Sequence, residues 1–388
     1  MELQPKFREI LLESTRLAGE WYANNQNSEK HPWGGVHDSA DVGRFLYEYY
    51  PATHWCRGAG VWAQAVGIMG LLTLSRRLKL DDYKVYAKLA AGYLKSLQVI
   101  NPSDERNHGA LRERTPQCEW SFPRDAATGG MGFVALYRET KEEDYLNRAK
   151  LFAEWYHRFG SNEQGWPYGY FDIAKGDGSN LQYVLGDWQA GGGLLYYWLY
   201  KVTGEEKWLE YLRQLIDPLI EMYERNADAK VVPGFHGEVE ISYGNDDFAI
   251  VTLIAAYRQW GEKRMLNALT HHIKRLWTLA DEDGSYPSVE GTYVCTINNM
   301  EYLELCREKK LTEDMKALEK LVMKTAKFSL TQQVTDAADI RSYGGFYGET
   351  NYGVSRDRIS HRSTGYAMLM NLRVVGGTET PYYSSYGW

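Results

Sequence analysis

LGDWQAGGGLLYYWLYKVTGEEKWLEYLRQLIDPLIEMYERN, Leu185–Asn226, is the stretch that decides the fold. A loop ends in Asp187 at a helix-capping position, small residues follow, and the apolar run Leu194–Tyr200 leads to Gly204. Asp is a strong N-cap, because its oxygens accept orphan N–H groups and its charge suits the positive end of the helix dipole. A second helix, apolar on one face and charged on the other, runs on to Asn226 and is followed by VPGFHGEVE, Val232–Glu240. A helix that is apolar all round is buried, and an amphipathic one covers it.

Outward from this hairpin the same unit recurs about every 50 to 60 residues. Upstream, HWCRGAGVWAQAVGIMGLLTLSRRL (His54–Leu78) and SFPRDAATGGMGFVALYRET (Ser121–Thr140) open two units. Downstream, YGNDDFAIVTLIAAYRQWG (Tyr243–Gly261) and TYVCTINNMEYLELCREKK (Thr292–Lys310) open two more. The last helix, SHRSTGYAMLMNLRV (Ser360–Val374), has the character of a first helix, and PKFREILLESTRLAGEWYANN (Pro5–Asn25) that of a second. The two complete a sixth hairpin that joins the chain's ends. Six hairpins predict an all-α (α/α)6 toroid, with an inner ring of first helices inside an outer ring of second helices, as one catalytic domain over residues 1–388. An open superhelix would instead carry polar terminal repeats.

Bulk composition narrows the partners. The formal net charge of −7 and the absence of any basic run argue against nucleic acid. No segment reaches the length of apolar sequence that a membrane span needs, and no secretion signal opens the chain, so a cytoplasmic protein is expected. Cys56, Cys118, Cys295 and Cys306 form no C-x-x-C pair, which predicts free thiols. Thirty Tyr and 13 Trp exceed core needs and point to clefts that stack on flat, hydroxylated ligands such as sugars. Homo-oligomers stay open.

In a ring of hairpins, loops entering first helices and segments leaving second helices fall on one face. The entrances supply His54, Arg57, Arg124, Asp125, Asp187, Trp188, Asp247, His361 and Arg362, and the returning segments supply Arg112, Trp166, Tyr168 and His236. Asp125 and Asp187 open consecutive first helices. Two carboxyl groups facing one cavity are the equipment for glycoside hydrolysis, one giving a proton and the other acting as base or nucleophile. Arginines beside them suit a substrate carboxylate, since guanidinium binds carboxylate bidentately. Each residue also has a structural use: the aspartates as caps, the arginines as their ion-pair partners, the histidines as hydrogen-bonded core groups. Metal and cofactor motifs are missing, and Cys56 is followed by Arg57 where a zinc-dependent lanthionine cyclase would carry a Cys-His pair, so neither metal nor cofactor is expected.

WCRGAG (Trp55–Gly60), the GDW and GNDD entrances and GWPYG (Gly165–Gly169), set on six hairpins, resemble the six-hairpin glycosidases, and among them the unsaturated uronyl hydrolases and other uronate-specific glycosidases. The resemblance implies an exo-acting hydrolase of glucuronyl or unsaturated uronyl oligosaccharides. It also implies Asp187 as general acid and Asp125 as its partner. The remaining entrance and return residues would bind the sugar. Three alternatives stay open: a uronate lyase drawing on Asn107, His108, His361 or Tyr243, a sugar epimerase, and a non-catalytic sugar-binding toroid.

Overall fold

The computed structural model describes residues 3–29, 31, 33, 41–163, 165–179, 192–225, 231–234, 237–240, 247–287, 289–311, 315–336, 338–350, 353–376 and 382–386. In chain order the elements are α1 (Pro5–Asn25), β1 (Leu46–Tyr50), β2 (Trp55–Gly58), α2 (Val61–Leu78), α3 (Asp82–Ser96), β3 (Trp120–Ser121), α4 (Pro123–Thr140) and α5 (Glu143–Arg158). They continue with β4 (Tyr170–Asp172), β5 (Asp177–Ser179), α6 (Gly193–Thr203), α7 (Lys207–Arg225), β6 (Val231–Gly234), β7 (Gly237–Glu240), α8 (Asp247–Trp260) and α9 (Lys263–Trp277). The last are α10 (Val289–Lys309), α11 (Met315–Thr331), β8 (Phe346–Thr350), β9 (Gly353–Ser360) and α12 (His361–Val374). Two compact units emerge, Met1–Tyr93 with Leu279–Gly387, and Leu94–Thr278.

In the first unit α12 packs on α1, so the hairpin split between the chain's two ends does form. The first helices are buried along their length: α2 from Val61 to Ser75, and α10 from Val289 to Leu303. The polar side chain of Gln64 survives inside α2 because every group on it is used. Its amide donates to Gly43 O (2.8 Å) and Ala90 O (3.1 Å), and its oxygen accepts from Phe45 N (3.1 Å). Helix α2 approaches α12 so closely that a Cβ on Gly70 would lie 2.2 Å from Met368 Cε. An antiparallel sheet, ordered β2-β1-β9-β8, crosses the entrances, with Tyr49 opposite both Cys56 and Ile359. Strand was not expected there, and it corrects WCRGAG from a helix entrance to an edge strand followed by a helix.

The C-terminal aromatic tail packs on its own chain. Tyr382 N donates to Thr73 Oγ1 (3.2 Å), and Arg76 lies over the Tyr382 ring. Glu301, fully buried in α10, accepts from the hydroxyls of Ser384 and Ser385 and from Arg373.

The second unit holds the pairs α4/α5, α6/α7 and α8/α9. Gly193 opens α6 where a Cβ would meet Thr252 Cγ2 of α8 at 2.3 Å, a packing reason for glycine at that point. The outer helix α9 buries Met265, Ala268, Leu269, His272, Ile273 and Leu276, a stripe at helical spacing. His272 is therefore inside, while its neighbour His271 lies on the surface. A three-stranded sheet, β3-β4-β5, ties the segment entering α4 to the one returning from α5. All four cysteines are free thiols, and among the described residues no helix is long and apolar enough to cross a membrane.

Candidate functional site

Within the second unit a charged cluster forms at the start of α4. Phe122 is the N-cap and Pro123 the first helical residue, since proline's fixed φ and missing N–H suit that position. Asp125 is thus in the first turn and not at the cap, a correction to its expected place. There its carboxylate meets the exposed N–H end of the helix and takes an ion pair from Arg124 Nη1 at 2.6 Å. Both side chains are mostly buried.

Glu113 lies beside them. Its backbone N–H donates to Trp120 O (3.0 Å), which fixes the returning strand against β3. Its carboxyl is buried and accepts from the Phe122 N–H, and its Oε2 has no partner. Burial first, and the neighbouring Asp125 charge second, push this carboxyl well above the ordinary glutamate range. A buried carboxyl beside an arginine-paired carboxylate divides protonation states between two acids. Arg112, one residue earlier, is half-buried and has no ion pair among the described residues; burial lowers its pKa. The Trp166 backbone N–H donates to Asn162 Oδ1 (3.0 Å), and Tyr168 lays its ring against Gly178.

The first unit carries its own cluster. Arg358 bridges two buried carboxylates, donating to Glu48 Oε2 and Glu290 Oε1, each at 2.8 Å. Ser360 Oγ also donates to Glu290 (2.5 Å), and Arg57 ion-pairs with Glu48 at 2.9 Å while lying over the Tyr47 ring. Arg57 is thus tied to a glutamate, not to an entrance aspartate. His54 is exposed, in the β1–β2 turn with φ 54°, and bonds the Tyr49 hydroxyl through Nδ1 (2.8 Å), so it is a turn residue and not an entrance group. Arg362, in the first turn of α12, is half-buried; burial and the Glu290 charge raise the pKa of the Tyr47 hydroxyl, and Arg362 offsets part of that rise. His361, the first residue of that helix, is completely buried. Its ring sits among Trp21, Tyr22, Phe45 and Trp62, its Nδ1 faces Tyr22 OH (3.4 Å), and its Nε2 has no partner among the described residues. Burial depresses its pKa to about 3, so the ring is neutral.

Asp187, Trp188 and His236 lie outside the described residues, and Asp247 is described only as the first residue of α8. Three charged groups escaped sequence reasoning as site members, Glu48, Glu290 and Arg358, while Glu113 stood among the returning residues with no role assigned to it. Glu290 was legible in one respect, an acidic residue in a helix's first turn, had α10 been started at Val289. Asn298 is deep in that helix and fully buried. Among the described residues no three His, Cys, Asp or Glu side chains gather closely enough to hold a metal ion.

No family model matches the chain, and no curated protein matches it in sequence. Solved structures do match, and they define its class: the fold is the (α/α)6 toroid. A cellobiose 2-epimerase from Bacillus thermoamylovorans aligns over 95% of this chain and 99% of its own, with TM-score 0.69 and 16% identity. A family 76 glycoside hydrolase (mannosidase) from Bacteroides thetaiotaomicron covers 94% of this chain and 98% of its own, at 0.64 and 13%. An inactive α-1,6-mannanase from Salegentibacter, with two consecutive aspartates replaced and α-1,6-mannotetrose bound, covers 94% and 99%, at 0.63 and 12%.

Proposed function

We propose that this chain is a carbohydrate-active enzyme, a glycoside hydrolase that removes a glucuronyl or unsaturated uronyl residue from the end of an oligosaccharide. The observation that carries the reading is the Glu113–Asp125–Arg124 cluster at the entrance of an inner helix. Asp125, held by Arg124, acts as the base or nucleophile, and Asp187, at the next entrance in sequence, supplies the proton to the leaving oxygen. Glu113 is too buried to touch a sugar, and it acts as a positioning residue for Asp125. Arg112 supports an acidic substrate: a partly desolvated guanidinium without an ion pair is stabilised by a ligand carboxylate. The solved structures with this fold include enzymes named for work on cellobiose and mannose-containing chains, which supports carbohydrate as the substrate class. The mannanase inactivated at consecutive aspartates makes the sequence neighbours Asp246 and Asp247, the latter the first residue of α8, the next residues to substitute.

A second reading, an epimerase that moves a proton at a sugar carbon, is favoured by one observation: the solved structures with this fold include a cellobiose 2-epimerase. Incubating the protein with an unsaturated uronyl disaccharide, a glucuronyl oligosaccharide and cellobiose, followed by NMR of the products, separates the two. New reducing ends and free uronic acid mean hydrolysis. An epimer of unchanged mass means the second reading, and a conjugated ultraviolet product from a uronate polymer means a lyase.

A further inference from the structure

The second unit contains a cavity of about 380 Å³ between the C-terminal end of α5, α6, residues 161–163, 165 and 168, and the middle of α7. That volume is in the range of small-molecule sites. Around it the protein's own hydrogen bonds are only partly used. Ser161 Oγ donates to Tyr156 O (2.9 Å) and Tyr211 OH to Glu154 (3.1 Å). The Tyr196 and Tyr168 hydroxyls, the Gln214 amide and the His157 imidazole line the cavity with no hydrogen bond among the described residues. Tyr196 is the telling member, since the residue is only 2% exposed and yet lines the cavity with no hydrogen bond to its hydroxyl among the described residues.

The charge of the lining selects the ligand. Arg158, its one arginine, is committed to Glu105 at 2.6 Å, and His157, stacked on Tyr211 at 3.5 Å between centroids, has its pKa lowered by burial. No uncommitted cation remains to receive a phosphate or carboxylate. What remains is the Glu163 carboxylate, which accepts from hydroxyl groups, and a set of uncharged donors and acceptors beside tyrosine rings, the combination that meets hydroxyl groups with its polar edges and C–H faces with its flat ones.

We infer that this cavity is a binding site for a neutral saccharide unit, built by α5, α6, α7 and residues 161–163, 165 and 168, and separate from the Asp125 cluster. The inference does not rest on Asp125 being catalytic. The test is titration of the full chain with D-mannose, cellobiose and D-glucuronate, read by calorimetry and by saturation-transfer NMR. Three variants go alongside: Tyr196→Phe, Gln214→Leu and Asp125→Asn. Tyr196→Phe removes a hydroxyl that makes no hydrogen bond among the described residues, so its melting temperature is expected to match the parent's. Saturable binding of a neutral sugar is expected, weakened about tenfold by Tyr196→Phe and by Gln214→Leu, the size of one hydrogen bond, and unchanged in Asp125→Asn. Four results overturn the inference: no saturable binding of either neutral sugar, binding that survives both cavity substitutions, glucuronate binding that is tighter than that of the neutral sugars and is weakened by Tyr196→Phe and Gln214→Leu, or neutral-sugar binding abolished by Asp125→Asn.

Discussion

At Glu113 and His361 the fold holds an ionisable group in its uncharged form, and the two act on opposite sides of neutrality. Glu113 has a raised pKa, so the folded chain holds its proton more tightly than the unfolded one does. Its stabilising effect is complete below the ordinary glutamate value of 4.5 and is lost as pH climbs from there through the raised pKa. Glu113→Gln, a permanent mimic of the protonated form, is expected to raise the urea midpoint relative to the parent at pH 8 and to leave it unchanged at pH 4. An equal loss of stability at both pH values would show a different role. His361 runs the other way: its pKa is depressed to about 3, so stability is present above 6.5 and is lost as pH falls toward 3. His361→Gln should flatten that acid limb in thermal melts between pH 6.5 and 4, and parallel curves for the two proteins would refute the assignment. Glu113 stood in the sequence among other returning residues with nothing to single it out. What makes it special is the Phe122 N–H it caps and the Asp125 it faces, and neither relation has a characteristic spacing.

Elements divide by how local their signals are. The helices were legible because burial repeats every three to four residues, as in Met265, Leu269, Ile273 and Leu276 of α9, and because glycines and αL caps such as Lys79 and Lys141 mark their ends. The sheet β2-β1-β9-β8 was not, since Tyr49 pairs with Ile359 from the far end of the chain and its short strands carry no clear alternation. The tail is a similar case. TPYYSSYGW reads as an aromatic oddity until Glu301, in the middle of α10, is found beneath Ser384 and Ser385. Hydrogen bonds to a buried charge are among the stronger ones, so replacing both serines with alanine is expected to cost about 3 kcal/mol in chemical denaturation. An unchanged midpoint would mean that the tail does not anchor the helix.

For the molecule as a whole, fold and function rest on different kinds of support. The toroid is shared with solved structures at 12 to 16% identity, and such a scaffold hosts more than one chemistry. Function therefore has to be argued from the site. The central claim is that the Asp125 carboxylate at the entrance of α4 works on the glycosidic bond of a uronate-bearing saccharide. The direct measurement is kcat/KM of the parent and of Asp125→Asn on an unsaturated uronyl disaccharide, with products followed by NMR and folding checked by melting temperature. The account predicts release of uronic acid by the parent and a loss of about 10²- to 10⁴-fold in a variant that remains folded. Full turnover by Asp125→Asn, or an epimerised disaccharide with its linkage intact, would contradict it.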